Sequence, residues 1–179
     1  MISPSSAPIA SYSEPMDRAE VGRWPQEGQR LLDELAASRG RYALIAALPA
    51  SADRLVDRLS TDLHLKFVYL GSALAERYNT PPTVANVETI CDGATVLTDI
   101  DVLLWPALGI PVLSFVAALA RRWPIIAVWP GEITEHRARY GVLGHPDHHN
   151  ERLTDVVVLR PVVARFPDEI PYEIERIAR

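Results

Sequence analysis

The chain has a single cysteine, Cys91, so no disulfide can close within it. That usage suits a reducing, cytoplasmic setting. No apolar run approaches the roughly 20 residues of a membrane-spanning helix, so no membrane role is expected. The opening stretch, MISPSSAPIASYSEP, lacks a basic start followed by an apolar block. It therefore reads as a flexible Ser/Pro-rich arm over 1–16 and not as a secretion signal. Positive charge is also scarce. A net charge of −5 and a pI of about 5.5 weigh against a broad nucleic-acid footprint and leave room only for a local basic patch.

What is present is enough to build one core. The chain has 179 residues, 48% of them hydrophobic, which fits a single domain over 17–179. Tyr42 to Leu48 and 124–129 (PIIAVW) are continuous apolar runs of strand length, the pattern of strands covered on both faces. Shorter runs at 66–70 (KFVYL), 94–100 (ATVLTDI) and 155–159 (DVVVL) add three more strands. Helical periodicity falls between them. It covers 26–38 with Leu31, Leu32 and Leu35 inward, a helix capped by Ser51 and running to about Asp62, and a short helix ending near Tyr78. It continues in a helix capped by Thr83 with Val84, Val87, Ile90 and Cys91 inward, and in 112–122 with Phe115, Val116 and Leu119 inward. Residues 130–150 read as a long polar loop with a short helix around 134–138, and 172–178 as a last helical turn or two. Alternating strands and helices predict an α/β, three-layer sandwich with a mostly parallel five-stranded sheet. Its working edge would lie at the carboxyl ends of the strands.

A further absence decides the chemistry. Residues 41–55, RYALIAALPASADRL, form a strand, a turn and a helix start, where a nucleotide-binding protein keeps its phosphate loop. Such a loop needs glycines, so that backbone N–H groups wrap the phosphates, and Lys-Ser/Thr for the outer phosphates and magnesium. This chain has Pro49, Ala50, Ser51, Ala52, Asp53 and Arg54 there. Asp53 would repel a triphosphate.

Other residues keep an ATPase reading open. Val96 to Asp101 (VLTDID) is an apolar strand ending in acid, the form in which a carboxylate holds a magnesium–water shell. Asp99 would be the magnesium ligand and Asp101 the acid that orients water. The structural alternative is a pair of solvent-facing acids at a strand end. Arg121 or Arg122 could reach a phosphate, although cations at a helix C-terminus are favoured by the dipole alone. The histidines in 145–149 (HPDHH), with His136, suggest metal ligands, but Pro146 prevents helical pairing of His145 with His149. A solvated loop is the better reading. Residues 135–140 (EHRARY) could contact nucleic-acid phosphates.

TVLTDIDVLLWPALGIPVLSFVAALARRWPIIAVWPGEI, followed by YGVLGHPDHH, resembles the BrxF-like small P-loop proteins of bacteriophage-exclusion (BREX) defence systems. The matching features are Asp99, Asp101, Leu103 to Leu104, Arg121, Trp129 with Gly131, and Tyr140 with Gly144, His145, Pro146 and Asp147. The resemblance covers 94–149, and 41–78 more loosely. It implies a P-loop NTPase type of sheet and a place beside larger phage-defence subunits. The family's Gly-x-Gly-Lys-Thr is replaced here by Ala50 to Arg54, so ATP hydrolysis does not carry over. The expectation is a non-catalytic scaffold without a cofactor, binding larger defence subunits or itself through the arm, the 105–111 connector or the 130–150 loop. An ATPase using Mg-ATP, or a nucleic-acid accessory, is the alternative.

Overall fold

A computed structural model describes residues 20–22, 26–46, 49–78, 80–93, 95–134, 136–146, 148–162 and 172–178. The expected arm over 1–16 lies outside these residues. In chain order the elements are β1 (Glu20–Gly22), α1 (Gln26–Ala37), β2 (Tyr42–Ala46), α2 (Pro49–Leu63), β3 (Phe67–Tyr69), α3 (Leu70–Arg77), α4 (Val84–Cys91) and β4 (Val96–Thr98). Two 3-10 turns, Ile100–Leu104 and Pro106–Leu108, lead to α5 (Val112–Leu119). Then come β5 (Ile126–Trp129), β6 (Glu132–Thr134), β7 (Arg137–Tyr140), β8 (His149–Arg152), β9 (Val156–Pro161) and β10 (Tyr172–Ile177).

The strands form a seven-stranded sheet in the order β1-β10-β9-β2-β5-β4-β3 and a three-stranded sheet, β6-β7-β8. The five strands β9-β2-β5-β4-β3 run parallel. At one edge β10 pairs antiparallel with β9, and β1 pairs antiparallel with β10. The α/β class and the parallel core are as the sequence predicts, but the sheet has seven strands, not five.

The apolar runs explain the layering. Tyr42 and Leu44 face one core, Ala43 and Ile45 the other. Val156 and Val158 are divided in the same way from Val157 and Leu159. Both sheet faces are therefore dry, as parallel strands require. α1 and α2 cover one face through Leu31, Leu35, Leu55 and Leu59. α3, α4 and α5 cover the other through Leu74, Val87, Ile90 and Val116. Each such side chain contributes about 1.5–3 kcal/mol by leaving water. Thr83 caps α4 as expected: its hydroxyl accepts from the Asn86 N–H, and Asn86 Oδ1 accepts from the Thr83 N–H at 2.9 Å. Val84, expected inward, is exposed because it begins the helix on the solvent side.

Two expected helices are strands. Thr134 ends β6 and Arg137 and Ala138 open β7, where Ile133 and Ala138 face the core and Arg137 and Arg139 alternate away from it. Tyr172–Ile177 pairs along the whole of β9. Its Tyr172 and Ile174 are buried, and strand alternation places Glu173 and Glu175 on the opposite face.

The small sheet is fastened to the end of β5 by one close approach. Trp129 is fully buried, and its indole N–H donates to the Arg139 carbonyl at 3.0 Å. Gly131 passes so near that carbonyl that a Cβ would collide with it. Arg160 adds a second tie, donating to the Ile133 carbonyl at 2.9 Å.

Candidate functional site at the carboxyl edge of the sheet

The parallel strands end together at one edge, and the expected site residues divide between that edge and the opposite one. Asp99 follows β4 directly and has φ 50° and ψ 38°, a left-handed conformation that aspartate tolerates better than most residues. A Cβ on Gly71 would lie 3.4 Å from the Asp99 Cβ, an ordinary packing distance, so the start of α3 runs beside Asp99. The Asp99 carboxyl is pushed above the ordinary aspartate value of 3.8. Partial desolvation is the first cause, followed by the neighbouring charges of Asp101 and Asp53. Asp99 thus feels two other carboxylates at this edge, one from α2 and one from the 3-10 turn that it opens. All three are exposed.

Pro49 to Arg54 do not form a loop. They occupy the first turn and a half of α2, and only residues 47 and 48 separate that helix from β2. Residues 47 and 48 lie outside the described residues. Proline is well placed at the first helical position, where its missing N–H costs nothing. This earlier start makes Ser51 a helical residue, not the cap. It also moves Asp53 past the first turn, where the helix dipole is weaker. A phosphate loop needs a run of backbone N–H groups between strand and helix; a two-residue connection is too short for one. The carboxyl edge carries three carboxylates, which would repel the phosphates of a nucleotide. Among the described residues no group of three or more His, Cys, Asp or Glu side chains is arranged to hold a metal ion, Asp99 and Asp101 included.

Arg121 is not at this edge. It follows α5 and lines a pocket with Gly40, Tyr42 and Asp155, at the amino ends of β2 and β9. Its neighbour Arg122 pairs with Asp92 at 3.1 Å.

The histidines do not converge. His136 sits at the β6–β7 turn, 3.7 Å from Glu175. His149 lies at the other end of the hairpin layer, opposite Tyr140, with Nδ1 3.8 Å from Glu151 and Nε2 3.2 Å from the Leu104 carbonyl. That last contact joins two loops. Trp105 follows Leu104 and is 52% exposed, while Val142 and Leu143, in the 141–148 connection that ends at His149, are 76% and 85% exposed. Trp123 is half-buried and Trp129 buried, so Trp105 is the exposed tryptophan among the described residues.

Reading along the sequence misses Arg39, Ser114 and Arg152, which line the Arg121 pocket. They come from three separate elements, and no local spacing marks them.

No family model matches the chain, and neither a curated protein nor a solved structure matches it. Among the described residues no helix is long and apolar enough to cross a membrane.

Proposed function

We propose that the chain is a P-loop NTPase-like subunit without a working phosphate loop, a scaffold that docks onto a larger subunit of a prokaryotic phage-defence complex. The P-loop part of this reading is supported by the sheet. Its first parallel strand, β2, lies inside the array, strands β5 and β9 flank it, and an acid ends β4. The defence assignment rests on the sequence resemblance over 94–149.

One observation carries the docking role. Trp105, Val142 and Leu143 are exposed on two loops whose stems are joined by the His149–Leu104 contact. An exposed aromatic on one loop and exposed aliphatic side chains on the loop tied to it have the composition of an interface anchor. Hydrolysis of ATP is the weaker reading, because phosphoryl transfer depends on positioning and charge neutralisation and the carboxyl edge supplies carboxylates.

The test is reconstitution with the large subunits of a bacteriophage-exclusion system. The wild type is expected to co-elute with one of them. A Trp105→Ala, Leu143→Ser double variant should not, while still unfolding cooperatively, since surface substitutions usually cost about 0.5 kcal/mol or less each. Co-elution that survives the double variant would sink the docking surface. Micromolar calorimetric binding of magnesium–ATP that is lost in Asp99→Asn would restore the ATPase.

A further inference from the structure

The amino edge of the sheet holds a pocket of about 220 Å³ that the docking reading does not use. Arg39 comes from the turn after α1, Arg121 from the turn after α5 and Arg152 from the end of β8. None of these three arginines forms an ion pair or side-chain hydrogen bond with a described residue. Tyr42, Ser114 and Thr154 line the same space, and so do Glu151 and Asp155. The two acids are not equivalent. Asp155 accepts two bonds from Arg41, from Nε at 2.9 Å and Nη2 at 2.8 Å, so its charge is compensated. Glu151 has its ion-pair contact with His149, at 3.8 Å, and among the described residues no arginine pairs with it.

The pocket has a built floor. The Gly40 N–H donates to the Ala120 carbonyl at 3.2 Å, which ties the two helix-end turns together. Gly40 has φ +88°, and a Cβ there would lie 3.5 Å from Arg121 Cγ and 3.9 Å from its Nε. The arginine stem therefore lies over the glycine. Arg39 and Arg121 follow helix C-termini, where a cation is favoured without any ligand. Arg152 has no such reason to be there, since it ends a strand. Three exposed arginines line one small space, and none pairs with a described residue, which leaves their charge-assisted donors open to an anion.

We propose that this pocket binds a small phosphate-class anion, a phosphomonoester or inorganic phosphate, through Arg39, Arg121 and Arg152, with Ser114 and Thr154 as neutral donors. Glu151 stands as the one uncompensated acid and limits affinity for a fully ionised phosphate. The volume suits a single phosphate group with a small attached moiety. The inference does not rest on the docking reading, whose surface is on other loops.

The test is calorimetric titration with inorganic phosphate and with a nucleoside monophosphate at low salt. Arg121→Gln and Arg152→Gln should each weaken binding about tenfold or more, the scale of a lost charge-assisted bond. Arg122→Gln, at the neighbouring residue but outside the pocket, should leave binding unchanged. Glu151→Gln should tighten it several-fold. In the wild type, phosphate should shift the Gly40 amide and the Arg121 Nε–H resonances, a readout that needs no variant to fold. Equal loss in Arg122→Gln would mean diffuse electrostatics and overturn the site. So would no shift at Gly40 in millimolar phosphate. Binding of duplex DNA with a steep salt dependence, and of neither small anion, would likewise refute it and assign the arginines to a backbone-binding surface.

Discussion

Replacing Gly131 by alanine isolates the joint between the two sheets. The new Cβ would fall on the Arg139 carbonyl oxygen and lie 3.0 Å from its carbon and 3.1 Å from Trp129 Nε1. β7 must therefore move away from the end of β5. Inserting a methyl into close-packed surroundings costs about 1–3 kcal/mol. The movement also breaks the indole N–H bond to Arg139, which leaves a donor on a fully buried tryptophan unpaired, at about 1–3 kcal/mol. The expected loss is thus about 2–6 kcal/mol, or on the order of 5–20 °C in melting temperature for a chain of this length. Urea unfolding monitored by tryptophan fluorescence measures it, and Trp129→Phe completes the cycle. With the indole donor already gone, Gly131→Ala should cost only its crowding share, giving a coupling of about 1–3 kcal/mol. A Gly131→Ala variant within 0.5 kcal/mol of wild type would refute the geometry. Strict additivity with Trp129→Phe would refute the hydrogen bond's part in it.

Asp99→Asn should raise the melting temperature at pH 7. The folded carboxyl sits above its ordinary value of 3.8, so folding favours the protonated form. Its contribution is best below that value and is lost as pH rises through the raised one. The gain from asparagine should therefore shrink as pH falls toward 3.8. An equal gain at pH 3.5 would assign the effect to asparagine's tolerance of the left-handed backbone and not to charge. Cys91 is fully buried, and burial pushes its thiol up to about 12 against the lowering effect of Lys66. It should resist a thiol reagent at pH 8 in the native protein and react at once in urea. Fast native labelling would contradict its place in the core.

Much of the fold was legible because the central strands are apolar on both faces. Tyr42 to Ala46 and Val156 to Leu159 need no context to be read as buried strands. β10 was not legible in the same way. YEIERI breaks the charged alternation at the adjacent Glu175 and Arg176 and carries Ile174 and Ile177 three apart, which also suits a helix turn. Pairing with β9 settles the conflict, and no local pattern contains that pairing. The β6–β7 hairpin was hidden for a related reason. Arg137 and Arg139 flank Ala138, a residue too small to signal a buried position. The motif pieces Trp129 and Gly131, by contrast, have an evident structural duty. They hold the small sheet against β5.

The misplacement of Arg121 follows from topology, and the rule that corrects it was available from the sequence. A helix that crosses between two parallel strands must run back against them. Its N-terminus then lies at the carboxyl edge of the sheet and its C-terminus at the amino edge. Arg121 follows the end of α5, so it could not have reached Asp99, which follows the end of β4. The same rule sorts the charges of this protein. Helix N-termini gather at the carboxyl edge, and there the chain has placed its own carboxylates, Asp53, Asp99 and Asp101. Helix C-termini gather at the amino edge, and there Arg39 and Arg121 follow α1 and α5. An incoming anion meets like charge at the edge where α/β proteins usually bind phosphate. It meets three guanidinium groups at the other. The electrostatics thus send a phosphate to the amino edge, away from the residues that suggested an ATPase.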